Sequence, residues 1–449
     1  MKKKIYSIIF LSLLFCPVLK AQDIVETDED EITVTDEEGI ETEIEFPEGM
    51  TMELDSLLSQ YHAKHNLSIN TECNYPDENP VFDEETYIER LRQLPTVMEL
   101  AHNEVVQQFI DRYSGRLRRS VSIMLGAQNF YMPIFEQALE SYGIPLELKY
   151  LPVIESALNP KAVSRVGATG LWQFMLATGK QYGLEVNSLV DERKDPIKSS
   201  YAAAHYLKDL YRIFGDWNLV IAAYNCGPEN VNKAIHRSNG KTDYWEIYPY
   251  LPRETRGYVP AFIAANYIMN YYCEHNICPM TTDLPHRTDT IMLNRDVHFE
   301  QIAHILNIDI NQIRELNPQY RRDIVNGSTK PSVLKLPVNQ ITAFIDNEED
   351  IYAYNAEELL TKRTVVAVNN DTPQYTPRHS YSKHKGKQHG KQHHKGKHHR
   401  GGGSKSVTVK KGQTLSQIAA KNHTTVNNLK RLNGIKGSNI KAGKKIRVK

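Results

Sequence analysis

Apolar residues recur at helical spacing through the middle of the chain and rarely elsewhere. Val97, Leu100, Val105, Phe109, Ile110 and Tyr113 follow the three- and four-residue repeat of an amphipathic helix, as do Phe130, Ile134, Leu139 and Tyr142. Further helices are expected over 201–214, 219–224 and 259–272. Strand-like alternation is scarce there, so residues 84–280 read as one largely α domain. Residues 22–83 ahead of it are acidic and turn-rich, as in Glu26-Thr27-Asp28-Glu29-Asp30-Glu31. Such a stretch cannot bury much apolar surface, so a largely disordered leader is expected, with one short helix near 52–65.

Beyond residue 280 the pattern changes to two short copies of one unit. Phe299, Ile302, Ala303, Ile313, Leu316 and Asn317 match Leu415, Ile418, Ala419, Leu429, Leu432 and Asn433; Leu415 lies 116 positions after Phe299, as Asn433 does after Asn317. Each copy, 286–340 and 405–449, reads as strand, two small helices and strand, a βααβ unit near the lower size limit for a lone core. Between them, residues 370–404 are rich in His, Lys and Gly and end in Gly401-Gly402-Gly403-Ser404. This composition gives a flexible cationic linker rather than a fold. Its histidines have no spacing that fixes a coordination geometry, so no metal site is expected.

At 449 residues the chain has room for two or three globular units, and 40% hydrophobic content suffices for their cores. The formal net charge of +0 hides an acidic head and a basic tail, since no acidic residue occurs from Thr372 to Lys449. Lys2-Lys3-Lys4, the apolar run from Ile5 to Phe15 and the small Ala21 read as a signal peptide, residues 1–21, too short to span a bilayer. Export to the periplasm or cell envelope follows. Cys16 keeps lipid attachment and outer-membrane association open, although Phe15 stands where a lipobox has a small residue. Removing the signal leaves Cys73, Cys226, Cys273 and Cys278, four cysteines that could pair, with Cys273 and Cys278 nearest in sequence. The basic tail would suit nucleic acid, but an exported chain rarely meets it, and an anionic wall polymer is the better counter-charge.

The chemistry points to one carboxylate. Glu155 ends the apolar run Leu151-Pro152-Val153-Ile154, and desolvation there disfavours its charged form, as a general acid requires. Alone, such a Glu reads as an ordinary helix-end carboxylate. Its neighbours alter the balance: Gly167-Ala168-Thr169-Gly170-Leu171-Trp172-Gln173 offers a tight loop with an aromatic and an amide suited to a sugar. Ala222-Ala223-Tyr224-Asn225-Cys226-Gly227 and Glu254-Thr255-Arg256-Gly257-Tyr258-Val259 follow. Taken singly, Trp172, Tyr224 and Tyr258 read as core aromatics.

The ordered set Glu-Ser, Gly-Leu-Trp-Gln, Ala-Tyr-Asn-x-Gly and Glu-Thr-x-x-Tyr-Val resembles the lytic murein transglycosylases with a lysozyme-like (SLT) domain, over roughly residues 84–280. Val407 to Ala419 is similar to the start of a LysM module. The resemblance implies a mainly α fold, a lysozyme-like helical catalytic domain with small α+β LysM modules. It implies Glu155 as catalytic acid/base, Ser156 as its motif partner, and a glycan groove lined by Gly170, Leu171, Trp172, Gln173, Tyr224, Asn225 and Tyr258. Gly412, Thr414, Leu415, Asn439, Ile440 and Gly443 would form the LysM sugar groove. Cys226 stands where the family often has Ala, and Gln413 where LysM modules usually have Asp. The 286–340 copy lacks the Gly-x-Thr-Leu signature and is expected to be a spacer. Peptidoglycan glycan strands are the implied partner, with no cofactor and a monomeric chain. The implied reaction cleaves the β-1,4 bond between N-acetylmuramic acid and N-acetylglucosamine and leaves a 1,6-anhydro end. A lysozyme-type hydrolase is the nearest rival and would want a second carboxylate from Asp191, Glu192 or Asp195. A non-catalytic LysM wall-binding protein is the rival of another class.

Overall fold

The computed structural model describes residues 32–35, 41–52, 54–60, 73, 75–76, 78–285 and 287–366. In the C-terminal module it describes 406–409, 415–422, 424, 426–433, 435 and 444–448. The signal segment, Cys16 and the 370–404 linker lie outside the described residues. Two compact units divide the chain, Met1–Tyr375 and Thr376–Lys449.

The first unit is built on helices. Glu104–Ser114 starts at Asn103, whose side chain accepts from the Val106 N–H, and buries Val105, Val106, Phe109, Ile110 and Tyr113. Val97 and Leu100 precede this helix rather than joining it, and Val97 is exposed. The long helix Arg118–Tyr142 stops at Gly143, whose φ of 66° supplies the left-handed cap. Pro196–Phe214 opens on Asp195, which accepts from the Ile197 and Lys198 N–H groups, with Pro196 pre-set for the first turn. Tyr258–Asn270 is buried from Tyr258 to Met269, all round its circumference. Such a helix can only be the centre of a domain.

The leader departs from the expectation of disorder. Ile32–Thr35 pairs antiparallel with Glu41–Ile44, a 3-10 turn follows at Glu48–Met50, and Leu54–Gln60 forms the short helix. Ile32, Ile44, Met50, Leu57 and Leu58 enter the same core as the helical body. Composition misled because Glu43 and Glu45 stay exposed while the few interspersed apolar residues act as anchors. A disulfide joins Cys73 to Cys278, tying the leader to the end of the helical body; Cys226 and Cys273 are free thiols, so the nearest sequence neighbours do not pair.

The middle module pairs Thr288–Leu293 with Ser332–Pro337 and Asp296–His298 with Ile324–Asn326, both antiparallel, around helices Phe299–Leu306 and Ile310–Leu316. It does not end at residue 340: Phe344, from Val338–Asp346, and Ile351, from Glu348–Ala353, complete its core. Nor does it stand alone, for Leu189 and Val190 of the helical body lie in that core too. The C-terminal module pairs Ser406–Thr408 with Lys445–Arg447 around Leu415–Lys421 and Val426–Asn433.

The two copies share a lock. Asn317 Oδ1 accepts from the Lys335 N–H while its Nδ2 donates to the Lys335 and Ile313 carbonyls. Asn433 does the same with Arg447 and Leu429. In each, one amide ties the second helix to the last strand, which gives the matching Leu-Asn dipeptides a structural reason.

Candidate active site

Glu155 sits on the six-residue helix Leu151–Ser156, every residue of which is buried. The helix ends abruptly because Ala157 and Leu158 both turn left-handed, at φ 49° and 62°. Two such L-residues in succession are costly, roughly 1–2 kcal/mol each, and persist only where the surroundings enforce them. Here the Ala157 and Leu158 N–H groups donate back to Val153 and Pro152. Ser156 Oγ donates to the Leu171 carbonyl at 2.9 Å, tying this helix to the glycine-rich loop.

That loop is scaffold at its centre. Leu171 and Trp172 are fully buried, the indole N–H donates to Ser200 Oγ at 2.9 Å, and the ring packs edge-on to Phe135. Gly170 has φ 88°, and a Cβ there would lie 1.9 Å from the Arg193 carbonyl oxygen. Ser156, Gly170, Leu171 and Trp172 therefore do not line a groove, contrary to expectation; they hold its floor. Tyr224 links floor to wall by donating to the Trp172 carbonyl at 2.7 Å.

A cavity of about 170 Å³ opens over this floor, and Glu155, Gln173, Tyr224, Asn225 and Tyr258 all line it. Five of the nine expected catalytic-domain residues thus meet in one place. Tyr258 donates its hydroxyl to Glu155 Oε1. Gln173, at φ 46°, donates to the Gly170 carbonyl at 2.8 Å, and its Oε1 has no hydrogen-bond partner among the described residues. Asn225 Oδ1 accepts from Thr255 Oγ1 at 2.8 Å, which orients the opposite end of the amide as a donor. Amide donors and acceptors fixed around one carboxyl suit a polar, hydroxylated ligand.

Burial pushes the Glu155 carboxyl up to about 8, with the charges of Glu254 and Glu48 adding to the rise and the Tyr258 hydrogen bond opposing it. Glu254 is raised as well, by burial and then by Glu45 and Glu48. Burial and the Glu155 charge hold the Tyr258 and Tyr224 phenols far above their usual range, so both stay donors. Cys226 is pushed up to about 11 by burial, which leaves a neutral, unreactive thiol.

Sequence reading missed Pro47, Glu48, Tyr206 and Glu254, which also line the cavity. Glu254 lay within a quoted motif, but nothing in the pattern linked the leader to the site. The proposed second carboxylates go elsewhere. Asp191 is fully buried between Arg193 and Arg321, at 2.9 and 2.6 Å, Glu192 pairs with Lys198 at 2.6 Å, and Asp195 caps a helix.

The chain matches three domain families: Transglycosylase SLT domain over residues 132–247, the LysM-like domain of lytic transglycosylase MltD over 287–353, and LysM domain over 407–449. It is 27% identical over 355 residues to membrane-bound lytic murein transglycosylase D of Escherichia coli (strain K12), covering 78% of this chain and 70% of that protein. Soluble lytic murein transglycosylase of the same strain is 35% identical over 124 residues, 26% of this chain and 19% of that one. Among solved structures, the 70 kDa soluble lytic transglycosylase of Escherichia coli aligns at 25% identity and a TM-score of 0.30, over 40% of this chain. The chain spans 33% of that structure's length. An SLT domain, an MltD-type LysM-like domain and a LysM domain, in that order, make this chain a lytic transglycosylase resembling membrane-bound lytic murein transglycosylase D.

Proposed function

We propose that the chain cleaves the β-1,4 bond between N-acetylmuramic acid and N-acetylglucosamine in peptidoglycan without consuming water, leaving 1,6-anhydromuramic ends. The observation that carries this reading is a single buried carboxyl, Glu155, kept protonated through neutral pH at the floor of a polar cavity. Glycosidases that use water pair an acid with a second carboxylate as base or nucleophile. The residues suggested for that role, Asp191, Glu192 and Asp195, are committed to ion pairs and a helix cap. Glu254 and Glu48 also line the cavity, and the fragment analysis below tests whether either activates water.

In this reading Glu155 donates its proton to the glycosidic oxygen as the bond to C1 breaks, and the substrate's N-acetyl oxygen shares the positive charge. Tyr258, donating to Oε1, stabilises the carboxylate that results. Glu155 then takes the proton of the muramic C6 hydroxyl, whose oxygen bonds to C1. Because nucleophile and electrophile belong to one residue, the second step is intramolecular, and well-oriented reactions of that kind reach effective molarities on the order of 10⁵ M or more.

The chain acts in the cell envelope; export by the 1–21 signal segment into the periplasm and action as a monomer belong to the same proposal. The C-terminal module anchors it to glycan through Gly412, Thr414, Asn439, Ile440 and Gly443, which lie outside the described residues. Leu415 is buried with Ile418 and Ile446, so it packs the module's core rather than facing sugar. Mass spectrometry of fragments released from purified sacculi tests the reaction. Products one water lighter than lysozyme fragments, absent with Glu155→Gln, are expected; hydrated reducing ends would make the enzyme a hydrolase.

A further inference from the structure

Beyond the charge that Glu48 lends to Glu155, the leader turn touches both elements that carry the Glu155–Tyr258 pair. A Cβ at Gly49 would lie 2.5 Å from the Val153 carbonyl oxygen and 2.7 Å from that of Ile154, the residue before Glu155. A Cβ at Gly257, the residue before Tyr258, would lie 2.6 Å from Ile44 Cγ2 and 2.7 Å from the Glu45 carbonyl oxygen. Backbone thus lies directly on backbone at two points that flank the Glu155–Tyr258 pair, with no space for a side chain at either. Phe46 anchors the turn from outside, edge-on to Phe109 and beneath the Arg112 guanidinium at 3.7 Å. Pro47, Gly49 and Met50 are buried, but Glu48 between them is exposed and faces the cavity that holds Glu155. A turn that buries its flanks and presents one carboxylate to a polar cavity is built as a wall of that cavity.

We propose that the leader turn Glu48–Met50 is part of the glycan-binding cleft and that Glu48 is a further substrate-facing and positioning residue for Glu155. This rests on the reading of the cavity as a glycan site. As an acceptor, Glu48 takes hydrogen bonds from sugar hydroxyls or acetamido N–H groups entering between the leader and the helical body. As a charge, it acts on Glu155 together with the groups that face it from the other packed elements: Tyr258 and Glu254 from the segment 253–258, and Tyr224 from Trp217–Cys226. The transglycosylase domain match begins at residue 132, so this wall comes from outside the domain that carries the acid.

Two readouts on the full chain test this independently of murein cleavage: the Glu155 carboxyl titration by NMR, and binding of an N-acetylglucosamine oligomer by tryptophan fluorescence. Glu48→Gln should lower the Glu155 midpoint by roughly half a unit, because removing a neighbouring negative charge favours the carboxylate. It should also weaken oligomer binding about two- to tenfold, the loss of one hydrogen bond. Glu43→Gln, exposed on the leader strand, should change neither. Gly49→Ala should weaken binding further by displacing the turn. A Glu48→Gln protein with unchanged midpoint and unchanged affinity would overturn the inference. Wild-type protein that binds and titrates as expected but releases no murein fragments would instead refute the proposed reaction.

Discussion

Removing one hydroxyl isolates what Tyr258 does for Glu155, the proposed acid. In Tyr258→Phe the ring stays in its buried place, but Glu155 Oε1 loses its donor. That bond opposes the upward push of burial because it favours the carboxylate over the acid. A hydrogen bond to a charged group is worth about 1.5–3 kcal/mol net, and 1.36 kcal/mol is one pKa unit, so Glu155 should rise by roughly one to two units from about 8. A general acid works below its pKa, so the alkaline limb of kcat/KM should move up by that amount. The plateau should fall roughly ten- to a hundredfold, since the carboxylate formed by proton donation is no longer stabilised. The assay is turbidity clearance of sacculi across pH 5 to 10, with fragment analysis at each point. An alkaline limb that moves down or stays put would refute the assignment of Tyr258 as the donor to the acid.

Other perturbations test the scaffold. Gly170→Ala forces a side chain into the Arg193 carbonyl at positive φ and should cost about 3 kcal/mol or more, a drop of roughly 6–12 °C in thermal midpoint by calorimetry. Asp191→Ala strands Arg193 and Arg321 and should cost about 3 kcal/mol; loosening of the 287–353 module, seen as new protease cleavage near residue 321, is the expected sign. His275 is buried between the Tyr267 hydroxyl and Asn79, and burial lowers it to about 4. Its contribution is therefore full above about 6.5 and is lost as pH falls from there towards 4; a His275→Gln protein should show a flatter stability profile across that window. Reducing the Cys73–Cys278 bond should lower the midpoint by an amount equivalent to about 2–4 kcal/mol, and a Cys273→Ser control should not respond differently from wild type.

What the sequence made legible was what short-range order encodes. The helical period gave the body of the enzyme, and the placement of Glu155 after four apolar residues gave the direction of its shift. Trp172 was misplaced because a glycine-flanked aromatic looks the same whether it faces sugar or core. Its hydroxyl partner, Ser200, is 28 residues away, and only the folded chain brings it in. The leader was misjudged for the opposite reason. Its average composition is that of a disordered segment, yet Ile44, Met50 and Leu57 reach the core, and average hydrophobicity does not register so few anchors.

The two modules share the asparagine lock, but the middle one shares its core with the helical body. The middle one is welded to the catalytic body: Val190 bridges to Tyr320, the Asp191 N–H donates to the Gln319 carbonyl, the Arg321 N–H returns to Leu189, and the Asp191–Arg321 ion pair sits beside them. Lys330 reinforces the join through Glu185 and Glu192. These contacts occupy Asp191 and share Glu192, two of the three carboxylates considered for a hydrolase, while Glu48 and Glu254 stay in the cavity. The C-terminal module keeps its own core of Leu415, Ile418, Leu429 and Ile446 in a separate compact unit. A module with its own core can hold glycan while the catalytic body works along it, and tethering of this kind raises local substrate concentration without any new contact at the acid. Deleting residues 405–449 should therefore weaken action on intact sacculi while leaving kcat on short soluble glycans unchanged, whereas deleting 287–353 should unfold the catalytic body by exposing Leu189, Val190 and the buried Asp191.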